Sequence, residues 1–386
     1  MVSALKFPRT SFTGWGAIDM LFPELKKMDI HRILVVADPI LIETGTVEQI
    51  IKPLMDVFAL EVYSDVEPEP SLSCAQELVE YTRNHTLECV IGIGGGSTLD
   101  LAKLTAVVSQ NDGQISDYLN LSGGRRLLKK GLPKILIPTT SGTGSEVTDI
   151  AVVSLEGTKD VITHEFLLAD AAIVDPQLTL SVPPRVTAAT GMDALTHAVE
   201  AFVSVHANEV TDALALQAIK LIGNSVKNAV KDGTDKKART DMSFGSYLAG
   251  LAFFNAGVAG VHALAYPLGS AFKLPHGEAN AVLLPYVMSF ISQSCREKMD
   301  IINKILESTT QAIGESNIFH RLVRELGLPE TLQEYDIGEN HLEALADEAV
   351  KQKRLLDRSP MPLKREDILQ IYQMALHGEL VVREVK

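Results

Sequence analysis

The sequence predicts an α/β domain built on a mainly parallel sheet, followed by an all-α helical domain. Three observations carry that reading. Short β-branched apolar runs alternate with helical patterns up to residue 178, as strand–helix–strand units do. Beyond Leu178 and the pair Pro183-Pro184 the helical period repeats with almost no strand signal. A length of 386 residues also exceeds the size at which one core stops growing. The expected domains are 1–178 and 179–386.

After an extended N-terminal piece, Thr13-Gly-Trp-Gly16 marks a turn and 17–28 reads as a helix. Arg32-Ile-Leu-Val-Val-Ala37 reads as a strand buried on both faces, ending in Asp38-Pro39. An acid at that point either caps the following turn or takes the hydroxyls of an adenosine ribose while repelling a 2′-phosphate. A helix over 47–58, a strand at 60–63, a turn at Glu67-Pro-Glu-Pro70 and a helix over 74–84 follow. The strand at 88–93 then runs into Gly94-Gly-Gly-Ser97 and a helix opening at Thr98-Leu-Asp100. Glycines let backbone N–H groups approach a ligand, and a helix N-terminus adds roughly half a positive charge, so a diphosphate fits there. A tight crossover would use the same residues.

The strand at 134–137 leads into Pro138-Thr-Thr-Ser-Gly-Thr-Gly-Ser-Glu146, where hydroxyls and glycines converge. Two such loops at strand ends of one sheet are hard to explain as coincidence, and a nucleotide's polar groups could lie there. Residues 151–154 and 171–174, around a turn at Glu156-Gly157, read as a strand pair. In the second domain helices are expected at 185–204, 208–231, 235–257, 260–271, 278–294, 297–315, 317–326, 339–356 and 366–377.

Four potential metal ligands lie in that helical half. Asp193 and His197 are four apart on one helix, so a carboxylate and an imidazole share a face. His262 and His276 follow, with Pro267 and Gly269 expected to break the helix between them and return the chain. Each side chain stands in an apolar stretch, where an unpaired polar group is costly to bury. The four are either separately hydrogen-bonded residues or one site in an interdomain cleft. Nitrogen and oxygen donors of this kind suit Fe²⁺ or Zn²⁺ better than Ca²⁺ or Mg²⁺.

Composition narrows the function classes. A net charge of −14 argues against nucleic acid and anionic membranes as partners. Cys74, Cys89 and Cys295 form no paired framework, and the N-terminus has no signal-peptide order, so a cytoplasmic location is expected. No apolar run reaches the ~18 residues of a membrane span.

Several motifs, in order and with matching gaps, carry a resemblance. They are Gly94-Gly-Gly-Ser-Thr-Leu-Asp-Leu-Ala-Lys103, Pro138 to Thr148, Ala172-Ile-Val-Asp-Pro176, Gly191 to Ser204, Gly260-Val-His262 and Pro275-His-Gly277. On these the chain resembles the iron-containing (group III) alcohol dehydrogenase family over nearly its whole length. The resemblance implies a Rossmann-like, dinucleotide-binding first domain, an α-helical second domain and one divalent ion, Fe²⁺ before Zn²⁺, held by Asp193, His197, His262 and His276. It implies a nucleotide bound by Gly95, Gly96 and Ser97 at the diphosphate, with Asp100, Thr139, Thr140 and Thr143 around it and Lys159 at the nicotinamide ribose. Asp38 matches the position where an acid accompanies NAD(H) in preference to NADP(H). A homodimer or higher homo-oligomer is implied as well.

Two departures concern the substrate. Tyr266 stands where many relatives carry a second histidine assigned to proton relay, and Asp357-Arg-Ser-Pro-Met-Pro362 replaces an Asn-Pro-Arg version. The expected activity is an NAD-dependent alcohol dehydrogenase, or aldehyde reductase, for a small alcohol or aldehyde, with Tyr266 as candidate catalytic residue. Lys273 leaves open a sulfonate- or carboxylate-bearing aldehyde. A lyase resembling dehydroquinate synthases, and a non-catalytic nucleotide-binding protein, are the rival classes.

Overall fold

The computed structural model describes residues 4–156, 158–310 and 317–380. The chain forms two compact units. One comprises Phe7–Thr140 with Gly144–Leu180; the other runs from Ser181 and includes Ser141–Thr143 and the N-terminal segment through Lys6.

The first unit holds β1 (Ser11–Thr13), β2 (Arg32–Ala37), β3 (Ala59–Tyr63), β4 (Cys89–Gly94), β5 (Lys134–Pro138), β6 (Ile150–Leu155), β7 (Thr158–Thr163) and β8 (Ala171–Val174). Its helices are α1 (Leu21–Lys26), α2 (Pro39–Glu43), α3 (Thr46–Ile51), α4 (Leu72–Arg83) and α5 (Gly96–Val108). Six strands form a parallel sheet in the order β1-β8-β5-β4-β2-β3. Alternation along β2 explains its unbroken apolar run. Ile33, Val35 and Ala37 enter one core with Leu21, Leu25 and Ile50, while Leu34 and Val36 enter another with Leu78, Val79 and Leu104.

The expected pairing of 151–154 with 171–174 is overturned. β6 pairs antiparallel with β7, and β8 joins the main sheet between β1 and β5. The burial patterns give the reason. All four residues of β8 are buried, as an internal parallel strand requires, whereas β6 alternates buried and half-buried positions as a hairpin arm does. Gly157, in the expected turn, lies outside the described residues. The helices expected at 17–28 and 47–58 are shorter. A 3₁₀ turn at Ala17–Met20 precedes α1, and Pro53 turns the end of α3 into the 3₁₀ segment Lys52–Leu54.

The second unit is helical: α6 (Pro184–Val203), α7 (Glu209–Lys231), α8 (Lys236–Ala256), α9 (Gly260–Phe272), α10 (His276–Ile291), α11 (Arg296–Thr310), α12 (Ile318–Glu325), α13 (Glu339–Ala349), α14 (Lys353–Leu356) and α15 (Arg365–His377). Residues 311–315 of the expected helix 297–315 lie outside the described residues. α6 is the central helix, packed by α7, α8 and α10 and buried along most of its length. Among the described residues no single helix is long and apolar enough to cross a membrane.

Pro267 does not break α9. The helix runs through it to Phe272, and the chain turns one residue later at Lys273, which takes a left-handed conformation with φ of 57°. Leu264 and Leu268, fully buried on either side of the proline, hold the helix in its core. The buried Tyr372 hydroxyl donates to the Leu264 carbonyl at 2.7 Å, supplying a hydrogen bond in the turn that the proline disturbs.

Candidate metal centre and nucleotide loops

Three helices of the second unit place the candidate ligands. α6 carries Asp193 and His197, α9 carries His262 in its first turn, and α10 begins at His276 itself. A close approach fixes that beginning. A Cβ on Gly277 would overlap the Ala189 carbonyl of α6, so only glycine lets the two helices come together there. The Glu278 carboxylate adds a link, receiving Arg185 Nε and the second guanidinium nitrogen at 2.8 and 2.9 Å and the Tyr335 hydroxyl at 2.9 Å. The Arg185 bonds hold the Glu278 carboxyl below the usual range despite its burial.

Asp193, His262 and His276 offer donor atoms within 4.8 Å of one another. Asp193 Oδ1 is 3.9 Å from His262 Nε2 and 3.8 Å from His276 Nε2. His197 lies beside this set without joining its closest group. Its ring stacks on His262, 4.6 Å between centroids, and on Phe253 at 4.3 Å.

Tautomers follow from the partners. His262 Nδ1 lies 2.6 Å from Glu200 Oε2, and a carboxylate only accepts, so Nδ1 bears the proton and Nε2 presents a lone pair. Glu200 Oε1 receives the Val261 backbone N–H at 2.6 Å. His197 Nδ1 donates to the Gly142 carbonyl at 3.3 Å, leaving its Nε2 bare as well.

Burial pushes the Asp193 carboxyl up, but His197, His276, His262 and the Asn280 amide outweigh it, and the group ends below the ordinary range. Burial takes the His197 imidazole down to about 4 against the pull of Asp193, so it is neutral at neutral pH. One carboxylate and bare imidazole nitrogens in an apolar surround fit a borderline divalent cation. Tyr266 is buried, its ring 6.0 Å from that of His276.

In the first unit, Asp38, Gly94–Ser97 and Pro138–Thr140 stand at the C-terminal ends of β2, β4 and β5, three adjacent parallel strands. Thr139 N–H donates to the Gly94 carbonyl at 3.0 Å, tying the two Gly-rich turns together. Gly95 is the N-cap of α5, with Gly96 and Ser97 in its first turn. Ser97 Oγ accepts the Glu69 N–H at 3.0 Å, and Glu69 pairs at 2.9 Å with the buried Lys159. Asp38 caps α2, accepting from Ile40 N at 3.0 Å. Asp100 is taken up by a buried network: Ser145 Oγ at 2.5 Å, Val152 N at 3.0 Å and Lys103 Nζ at 2.9 Å. Thr143 belongs to the helical unit, while Thr139 and Thr140 belong to the sheet unit.

Glu200 and Asn280 are site residues that the sequence reading missed. Both had a signal: Glu200 lies three residues after His197, and Asn280 four after His276, each on the ligand-bearing face of its helix.

Residues 8–176 match the family described as iron-containing alcohol dehydrogenase, and residues 187–376 match the C-terminal part of the same family. The long-chain-alcohol dehydrogenase 1 of Geobacillus thermodenitrificans is 57% identical over 388 residues, covering 98% of each chain. A solved 1,3-propanediol oxidoreductase superposes with a TM-score of 0.90 at 32% identity, covering 97% of this chain and 100% of that one. Sulfoacetaldehyde reductase from Bifidobacterium kashiwanohense, solved with NAD⁺, gives a TM-score of 0.85 at 29% identity over 97% of this chain and 99% of that one.

Proposed function

Because the chain belongs to the iron-containing alcohol dehydrogenase family, we propose that it interconverts primary alcohols and aldehydes with NAD(H) at a divalent-metal centre. The observation that carries this is the convergence of Asp193, His262 and His276, with Glu200 holding the His262 proton on the far nitrogen. Asp193, His197, His262 and His276 would hold the ion, Fe²⁺ before Zn²⁺. When bound, the ion supplies Lewis acidity at the substrate oxygen and the nicotinamide supplies the hydride acceptor or donor.

The protein's own groups orient and exclude. Glu200 fixes the His262 ring, and Phe253 and His262 stack against the neutral His197. Tyr266, its ring 6.0 Å from that of His276, would hold or pass the substrate's hydroxyl proton.

In the nucleotide site, Gly95, Gly96 and Ser97 take the diphosphate at the α5 N-terminus, with Thr139, Thr140 and Thr143 on the dinucleotide and Lys159 at the ribose. Asp100 supports the second loop through Ser145. Asp38, half-buried at the end of β2, favours NAD(H) by repelling a 2′-phosphate. A homodimer, seated on the unpaired edge of β1, and a cytoplasmic location complete the reading.

Substrates follow from the surroundings and the relatives. Small neutral alcohols are the first class, and the 57% identical relative, named for long-chain alcohols, extends the range to long aliphatic chains. An anionic aldehyde has a named precedent among the similar structures. Lys273, the residue that would receive it, is exposed at the α9 C-cap, which favours neutral substrates.

Elemental analysis of the purified protein, then a panel of alcohols and aldehydes of increasing length with NAD(H) and NADP(H), tests the reading. His276→Ala is expected to lose metal and turnover together. Full turnover by a metal-free His276→Ala protein would overturn the mechanism.

A further inference from the structure

Among the described residues, four other than glycine take a positive φ: Asp29, Glu69, Lys273 and Asp336. Asp29 follows α1 in a turn, and Lys273 and Asp336 each cap the C-terminus of a helix, where the left-handed conformation is ordinary. Glu69 closes no helix. It lies in the link between β3 and α4 with φ of 52°, a conformation that glycine takes freely and glutamate only at a cost. Such strain persists where the surroundings hold the residue firmly, and it gathers at ligand sites. We propose that Glu69 is a positioning residue for the nucleotide, acting through Lys159; the inference rests on the NAD-linked reading above.

Both backbone groups of Glu69 are held. Its N–H donates to Ser97 Oγ at 3.0 Å, in the first turn of α5, and its carbonyl accepts the Ser154 hydroxyl of β6, also at 3.0 Å. The next carbonyl, of Pro70, takes the Ser154 N–H at 2.8 Å. With the backbone fixed, the side chain reaches β7, where its Oε1 stands 2.9 Å from Lys159 Nζ. One strained residue thus joins the serine proposed for the diphosphate to the lysine proposed for the ribose, all within the sheet unit.

Charge gives the side chain its role. The Lys159 side chain is only 5% exposed, and an ammonium so withdrawn from water needs a counter-charge. Glu69 provides one. Its Oε1 is buried and makes no hydrogen bond, so charge and not alignment holds the pair, and the ammonium can give hydrogens to a sugar hydroxyl without leaving Glu69. A neutral side chain at 69 would leave the cation uncompensated, and the lysine would turn toward solvent or another acceptor. Glycine there would relieve the strain and keep the bonds to Ser97 and Ser154, which use only the backbone. Only the contact with Lys159 needs the carboxylate.

The test reads NADH affinity by fluorescence titration of the full-length protein, which needs no turnover. Glu69→Gly and Glu69→Gln are each expected to bind NADH at least tenfold more weakly than wild type. Lys159→Met is expected to lose at least as much. In the Lys159→Met background, adding either change at Glu69 is expected to cost no more than a further twofold, because the carboxylate has no ammonium left to hold. Unchanged affinity in a Glu69 variant or in Lys159→Met overturns the proposal. So does a larger further loss in the double variant, the result for a residue that merely shapes the loop. Glu69→Gln keeps the side chain's shape and decides alone if the glycine variant does not fold. A wild-type protein that binds no NADH overturns the NAD-linked reading itself.

Discussion

His262 Nδ1 and Glu200 Oε2 stand 2.6 Å apart, with both side chains withdrawn from solvent. The same carboxylate receives the Val261 N–H, so Glu200 spans from α6 to the first turn of α9 with both oxygens in use. Glutamine has the same shape but only one acceptor oxygen. In Glu200→Gln either the Val261 bond is lost or an NH₂ faces His262, which moves the ring proton to the nitrogen that should bind the ion. Metal affinity is expected to fall about 10–100-fold with the fold intact. Chelator competition on the variant, with far-UV circular dichroism as a control, measures it.

Glu146 gives a pH dependence to stability. Burial pushes its carboxyl from 4.5 up to about 7, with its own backbone N–H and Lys103 pulling the other way. An acid whose folded value is raised holds its proton longer when folded, so stability is greatest below the unfolded value. It declines as pH rises from about 4.5 to about 7, and this contribution is then flat. At 1.36 kcal/mol per unit the decline amounts to ~3 kcal/mol. Glu146→Gln is expected to flatten it. Urea unfolding of both proteins at pH 5 and pH 8 decides; parallel pH slopes would remove Glu146 as the cause.

Asp38 combines a structural and a proposed recognition role. As N-cap of α2 it can be replaced by glycine at a cost of only a few tenths of a kcal/mol, whereas alanine costs ~1 kcal/mol. Asp38→Gly is therefore the clean variant. It is expected to raise kcat/KM for NADP⁺ at least tenfold relative to NAD⁺, with little change in Tm. Steady-state kinetics with both nucleotides measures the ratio.

What could be read from the sequence depended on how local the cause was. Asp193 and His197 share a helix turn, and the buried alternation of β2 is written in its own six residues; both were legible. The partner of β8 was not, because pairing with β1 and β5 depends on chain far away in sequence. Pro267 was read as a breaker because its intrinsic cost is local, whereas the core around Leu264 and Leu268 and the Tyr372 hydroxyl come from tertiary packing. Glu200 and Asn280 were visible as residues at helical spacing. Only the docking of α9 and α10 on α6 shows what they face.

That docking has a consequence for the life of the protein in a cell. Asp193, His262 and His276 come within reach of one ion only when three helices are in place, so the unfolded chain has no comparable site. An ion present at a thousandfold its dissociation constant would stabilise the folded state by about 4 kcal/mol through mass action alone. With the centre loaded as proposed, metal supply would govern abundance as well as activity. Under scarcity, empty molecules would then unfold more often and be degraded first, enriching the surviving pool in loaded enzyme.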